Sequence, residues 1–314
     1  MARPWLARFW VQLGVAGCVV LGSVGLLVSG REESPSLPET GASPRDVSPS
    51  VRAAIPELRL QLEKKGLNRG ASELETGGEA SACARAAVRA SLDLDQPKRA
   101  RELMDALGTG EATLLGMRAE ALAREGKVSE AKAALEKMGS RANTDPFATY
   151  AAAHLAYLAG KTDAAATQAE RAASLGRGVP AHLLLTLLAF GGGDWSRARR
   201  ATEAALALEP ESIDAFYNRA VLDQHEGRYH ATREGLLEVL RRAPDHGDAR
   251  YNLALLTSEA GAEAEAQHHL KKLRALLGEE DPRVQALARR VNSGSGEGRA
   301  GARAVSAGAE GQGP

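Results

Sequence analysis

Residues 179–212 read VPAHLLLTLLAFGGGDWSRARRATEAALALEPES, and residues 213–246 continue with IDAFYNRAVLDQHEGRYHATREGLLEVLRRAPDH. Laid one above the other, the two stretches place Gly193 over Gly227, Ala198 over Thr232 and Pro210 over Pro244. The register extends in both directions: Gly126, Gly160, Gly193, Gly227 and Gly261 are spaced by 34, 33, 34 and 34 residues. A fixed period of this length marks a repeated supersecondary unit. With the glycine as position 15, position 8 holds Ala119, Ala153, Thr186, Ala220 and Ala254, and position 20 holds Ala131, Ala165, Ala198, Thr232 and Ala266. Small residues at these two places let a pair of antiparallel helices cross closely. The glycine supplies the tight turn between them. Pro at position 32 ends the second helix, and Leu135, Leu236 and Leu270 at position 24 fill the seam between neighbouring units.

This pattern resembles the tetratricopeptide repeat (TPR) family, whose unit carries a large residue at position 4, Leu then Gly or Ala at 7 and 8, an aromatic near 11 or 17, Ala at 20 and Pro at 32. Five copies lie in phase, at residues 112–145, 146–178, 179–212, 213–246 and 247–280. A weaker copy spans 81–111, where Asp95 replaces the turn glycine and Ala100 holds position 20. Arg118 and Arg219 depart from the pattern at position 7, and position 32 lacks Pro in the repeats before residue 179. Residues 281–292, with Val284, Leu287 and Val291 apolar, read as the helix that closes such arrays. The resemblance implies an all-α solenoid of helical pairs, about five to six repeats, over residues 81–292.

The resemblance also implies that the first helices of successive repeats line a concave groove, with positions 2, 5, 6, 9, 12 and 13 facing inward. By phase that face holds Tyr150, His154 and Tyr157, then Leu184, Leu187 and Phe190, then Tyr217, Asn218 and Val221, then Tyr251, Asn252 and Leu255. Tyr-Asn recurs at positions 5 and 6, and in several TPR proteins this Asn bonds the backbone of an extended peptide. An amide both donates and accepts, which suits capture that tolerates sequence variation. On the residues alone, an Asn without a peptide and an aromatic buried between repeats remain open. The Lys and Asn set that some TPR domains use to clamp a C-terminal carboxylate is absent, which argues against that kind of chaperone-tail recognition.

Composition narrows the function. The 314 residues carry 40 basic and 40 acidic side chains, and only 4% are aromatic. Zero net charge and few rings argue against a nucleic-acid binder, which needs a basic surface or stacking platforms. Two cysteines, Cys18 and Cys83, exclude a disulfide framework or a cysteine-based zinc site. Gly160-Lys161-Thr162 imitates the end of a phosphate-binding loop, but Leu155 occupies the place of its required first glycine. His268 and His269 diverge by about 100° on a helix and cannot chelate one ion together. With no nucleophile elbow, metalloprotease or Cys/His motif, the chain reads as non-catalytic, with no cofactor and no metal.

Residues 9–28 are apolar and long enough to span a bilayer. Arg3 and Arg8 precede them, and Trp5 and Trp10 suit an interfacial belt. Residues 1–30 therefore read as a single-span anchor with the N-terminus in the cytoplasm. A lipoprotein signal ending at Cys18 and a cleaved signal near residue 30 remain alternatives. Gly14, Cys18 and Gly22 form a small-residue stripe through which such spans can pair. Residues 31–50 are a Pro-rich linker, 51–80 a short helix beginning near Pro56 followed by a loop, and 293–314 a disordered tail. The expectation is a bacterial inner-membrane scaffold, its repeats in the periplasm, that binds a protein or peptide to assemble an envelope complex. Pilus, secretion and cytochrome maturation systems contain proteins of this kind. A self-associating homo-oligomeric platform is the alternative.

Overall fold

The computed structural model describes residues 48–76, 80–107 and 114–292. The expected anchor, nearly all of the Pro-rich linker and the C-terminal tail lie outside the described residues. All five turn glycines take left-handed backbone, with φ from +69 at Gly160 to +76 at Gly227. At each turn the residue after the glycine donates its N–H to the carbonyl five residues back, as in Lys127 to Leu122, Asp194 to Ala189 and Ala262 to Thr257. This is the Schellman closure that glycine makes inexpensive. Asp95 follows the same geometry at φ +59, and Gln96 bonds back to Ser91. Ala119, Ala153, Thr186 and Ala254 at position 8 are fully buried, as are Ala131, Ala165, Ala198, Thr232 and Ala266 at position 20.

The chain divides into two compact units, residues 1–212 and 213–314. Within the described part of the first lie α1 (Pro49–Lys64), α2 (Asn68–Thr76) and four helical pairs. The pairs are α3 (Ala80–Asp93) with α4 (Pro97–Ala106), α5 (Leu115–Arg124) with α6 (Val128–Met138), α7 (Pro146–Leu158) with α8 (Thr162–Ala172), and α9 (Gly178–Gly192) with α10 (Trp195–Leu208). Its core opens with Val51, Leu58 and Leu62 of α1 against Val88, Leu92 and Met104. It continues as an Ala-rich seam through Ala165, Ala169 and Ala172 to Leu184 and Leu188. The second unit holds α11 (Ile213–His225) with α12 (Tyr229–Arg242), and α13 (Gly247–Glu259) with α14 (Glu263–Leu277). A helix over residues 282–292 follows, burying Val284, Leu287 and Val291. The prolines at position 32 act as expected: Glu209 and Ala243, which precede them, leave the helical region at φ −133 and −129 and end α10 and α12.

Three places differ from the sequence expectation. First, α1 starts at Pro49, which takes the permissive first-turn position, and Pro56 lies inside the helix rather than opening it. Second, residues 68–76 are helical where a loop was expected. Ala71 and Leu74 pack into the first core, and the Arg69 N–H, in the first turn of α2, donates to the Glu209 carboxylate at 3.2 Å. That acidic cap comes from 140 residues away, so a local reading cannot find it. Gly66, at φ +70, brings its backbone so close to that of Glu211 that a Cβ would sit 1.8 Å from the Glu211 carbonyl oxygen. Asn68 Nδ2 also donates to the Glu211 carboxylate at 2.6 Å.

Third, where position 32 lacks Pro, other devices redirect the chain. After α6, Gly139 at φ +55 opens a 3₁₀ turn (Gly139–Asn143), and Asp145 then caps α7 by accepting from Ala148 N at 2.8 Å. After α8 the chain runs into a π-helical turn (Ala173–Arg177) kinked at Gly176, φ +98, and enters α9 directly. The run Thr162–Gly192 is by length and composition apolar enough to cross a membrane. It is nonetheless the second helix of one repeat and the first of the next, burying Ala165, Ala169, Ala181 and Leu185 inside the array.

These turns and crossings set two expected outcomes. A Cβ at Gly227 meets nothing within 4 Å, so Gly227→Ala carries only the left-handed backbone penalty. It should lower unfolding free energy by about 1 kcal/mol in urea denaturation. Ala198→Leu forces a branched side chain into a fully buried helix crossing and should cost about 1–3 kcal/mol.

Candidate functional site

On the inward positions of the N-terminal unit, charged side chains pair with one another. Glu120, on α5, is fully buried. Both its oxygens accept from Arg177, Oε2 from Nε at 2.8 Å and Oε1 from Nη2 at 2.8 Å. The third arm of the same guanidinium, Nη1, donates to Asp93 Oδ1 at 2.6 Å. The Arg177 guanidinium lies 4.9 Å from the centre of the Phe147 ring and 5.4 Å from that of Tyr150. Arg124 extends the network, pairing with Glu120 at 3.2 Å and Asp95 at 2.9 Å, and donating to the Leu92 carbonyl at 2.5 Å. Burial disfavours the Arg177 charge, but Glu120 and Asp93 outweigh it and hold its pKa above the ordinary value. The Arg177 guanidinium, donating from Nε, Nη1 and Nη2, has the geometry that a buried ion pair requires, whereas the Arg124 Nε is buried without a partner.

This network closes the inward face. Tyr150, His154 and Leu184 are buried among their own neighbours. Tyr157, Leu187 and Phe190 are half-buried, and Leu158 beside Tyr157 is exposed. The Tyr157 ring meets His154 edge-on at 6.0 Å, and Phe190 leans on Trp195 at 5.6 Å. The open remainder is an apolar and aromatic strip at positions 9, 12 and 13 of repeats 146–178 and 179–212.

In the C-terminal unit the recurrent Tyr-Asn pairs are used differently from one another. Asn252 is buried, and its Nδ2 donates to the Tyr217 hydroxyl at 2.9 Å. One member of each pair is thus spent tying α11 to α13. Burial, reinforced by Asp248, raises the Tyr217 pKa, so the hydroxyl stays protonated. Its ring lies against that of His246, tilted by 34° with centroids 4.9 Å apart. Val221 and Leu255 are buried. Asn218 and Tyr251 are half-buried. Charges frame them: Arg283 donates to Asp248 at 3.3 Å, and Arg290 pairs with Glu259 at 2.5 Å. Arg219, at the off-pattern position 7, lies 4.9 Å from the Phe216 ring, as does Arg242. Stacking explains why a cation stands where an aliphatic is usual.

Among the described residues no group of three or more His, Cys, Asp or Glu side chains converges as a metal site would require. No protein-family model matches the chain. Over 79 residues it is 33% identical to the Tetratricopeptide repeat and J domain-containing co-chaperone DNJ1 of Cryptococcus neoformans var. grubii serotype A, a match covering 25% of this chain and 15% of that protein. Among solved structures it is similar to PilW, described as a widely conserved type IV pilus biogenesis factor. The TM-score is 0.53 at 17% identity, over 61% of this chain and 90% of that one. The Cut9–Hcn1 hetero-tetramer of APC/C matches with TM-score 0.55 at 15% identity, over 77% of this chain and 46% of that chain. The chain has the TPR fold.

Arg177 lies in a repeat junction, outside the inward positions; Asp93 falls at position 13 of the weaker copy 81–111, an inward position, but its partner lies 84 residues further on. The signal available was the Gly176-Arg177-Gly178 sequence in a repeat junction that lacks its proline. His154 shows what burial on this face costs. Burial, with a smaller push from Arg124, brings its pKa down to about 4, and its Nδ1 has no partner. The folded pKa lies below the ordinary 6.5, so stability is intact above pH 6.5 and is lost as pH falls toward 4. Between pH 7 and pH 5 the loss should be about 2 kcal/mol. Urea denaturation at the two pH values should show that difference shrinking by this amount in His154→Phe.

Proposed function

We propose that this protein is a non-catalytic TPR adaptor. It is tethered by its N-terminal apolar segment to the inner membrane of a bacterium and uses its inward faces in the periplasm to hold an extended segment of a protein partner. The observation that carries the binding reading is the pairing in the C-terminal unit. Tyr217 and Asn252 lock two first helices together, while Asn218 and Tyr251, one from each Tyr-Asn pair, stay half-buried beside them. An amide and a phenol held on a rigid helical pair can bond a peptide backbone without selecting its sequence. In the N-terminal unit Tyr157, Leu187 and Phe190 supply apolar contact. Buried Tyr150, His154, Leu184, Val221, Asn252 and Leu255 act as the support beneath these surfaces.

The membrane reading is supported by residues 9–28 and the basic residues before them. An envelope-assembly role is supported by the fold shared with PilW, a pilus biogenesis factor. The test is crosslinking and affinity capture from membranes with the full chain, comparing wild type with Asn218→Ala/Tyr251→Ala. Partner recovery should fall about tenfold or more, the equivalent of about 1.4 kcal/mol, with the melting temperature retained. Unchanged recovery would remove the binding face from these residues.

A further inference from the structure

The seat of Arg177 has the chemistry of a guanidinium site. We propose that Asp93, Glu120, Phe147 and Tyr150 form an arginine receptor on the inward face of the N-terminal unit, filled here by the chain's own Arg177, and that an arginine of a partner segment can take the same seat. The proposal rests on the reading of this face as a binding groove.

Four observations carry it. The contacts match a planar, forked cation: both Glu120 oxygens on two arms of the guanidinium, Asp93 on the third, and two aromatic rings within 5.4 Å. A lysine ammonium could satisfy only part of this set. Secondly, Phe147, Tyr150 and Glu120 stand at positions 2, 5 and 9, the places from which TPR first helices present side chains to a groove. Thirdly, Arg177 belongs to no first helix. It sits in the π-helical junction between Gly176 at φ +98 and Gly178 at φ +53. Glycine on both sides gives the backbone the freedom to carry the side chain out of the seat. Fourthly, a cleft of about 380 Å³ shares Phe147 with the seat, and Met117 and Arg89 also line it. Glu73 and Arg85 line that cleft as well, so it offers room beside the seat for polar or acidic residues flanking an incoming arginine.

In this arrangement the N-terminal unit blocks its own groove. A partner arginine has to compete with Arg177, so the wild-type chain binds such a segment more weakly than a chain whose seat is empty.

The experiment uses full-length Arg177→Ala with methylguanidinium as probe. The variant should melt below wild type, and about 20 mM methylguanidinium should raise its melting temperature by about 3–5 °C. Wild type should not respond, and methylammonium should have no effect on either. The peptide acetyl-Gly-Arg-Gly-amide should bind the variant about tenfold or more tighter than wild type, and its lysine counterpart should show no such difference. Equal responses of variant and wild type, or equal effects of the two cations, would overturn the proposal. If Arg177→Ala does not fold alone, recovery of helical signal on refolding with methylguanidinium supports the receptor, and failure to fold with or without it overturns the receptor. These readouts concern a site in the N-terminal unit. Loss of partner capture in Asn218→Ala/Tyr251→Ala, together with no response to methylguanidinium, would leave the groove standing and reject only the receptor.

Discussion

A guanidinium taken fully out of water must have its charge and its donors satisfied, or it destabilises whatever encloses it. Arg177 meets that demand through Glu120, Asp93 and two aromatic faces. To do so it draws three repeats together: Asp93 ends the first helix of one, Glu120 lies on the first helix of the next, and Phe147 and Tyr150 on the third. Removing one partner from such a set leaves a buried charge unpaired, at a cost of about 3–5 kcal/mol. Small residues at positions 8 and 20 can bring helices close, but they carry no directional information. The ion-pair network supplies it within this unit, fixing which side chains meet on its inward face.

The same constraint separates the two inward faces in character. In the N-terminal unit the charged network and the buried Tyr150 and His154 leave a strip that includes Tyr157, Leu158, Leu187 and Phe190 open or partly open. In the C-terminal unit a neutral hydrogen bond between Asn252 and Tyr217 does the joining, which leaves Asn218 and Tyr251 partly open. A neutral pair brings no buried charge to compensate. Glu209 and Glu211 add a further closure to the N-terminal unit by holding the start of α2.

Much of this was legible in the sequence because it rests on local rules. A glycine recurring every 33 or 34 residues between two helical patterns reads as a turn, and Asp95 could be named as its substitute because Asp tolerates left-handed backbone better than most residues. Small residues at positions 8 and 20 identified the helix crossings in the same way. What escaped depends on distant partners. The α2 helix needs Glu209 at its N-terminus, 140 residues later, so its polar, Gly-containing sequence reads as loop. Arg177 needs Asp93 and Glu120, 84 and 57 residues earlier. Phase selected Tyr217, Asn218, Tyr251 and Asn252 alike, but it could not show that Tyr217 and Asn252 bond each other.

Hydrogen exchange of the full-length chain carrying Glu120→Gln tests the role of this network most directly. The substitution keeps the shape and removes the charge that two guanidinium arms share. Amides of α5, α7 and the Ala173–Arg177 turn should lose protection, while those of α11 to α14 keep theirs. Unchanged protection in α5 and α7, or a loss spread equally through α11 to α14, would contradict the claim that the Arg177 network holds the inward face of the N-terminal unit.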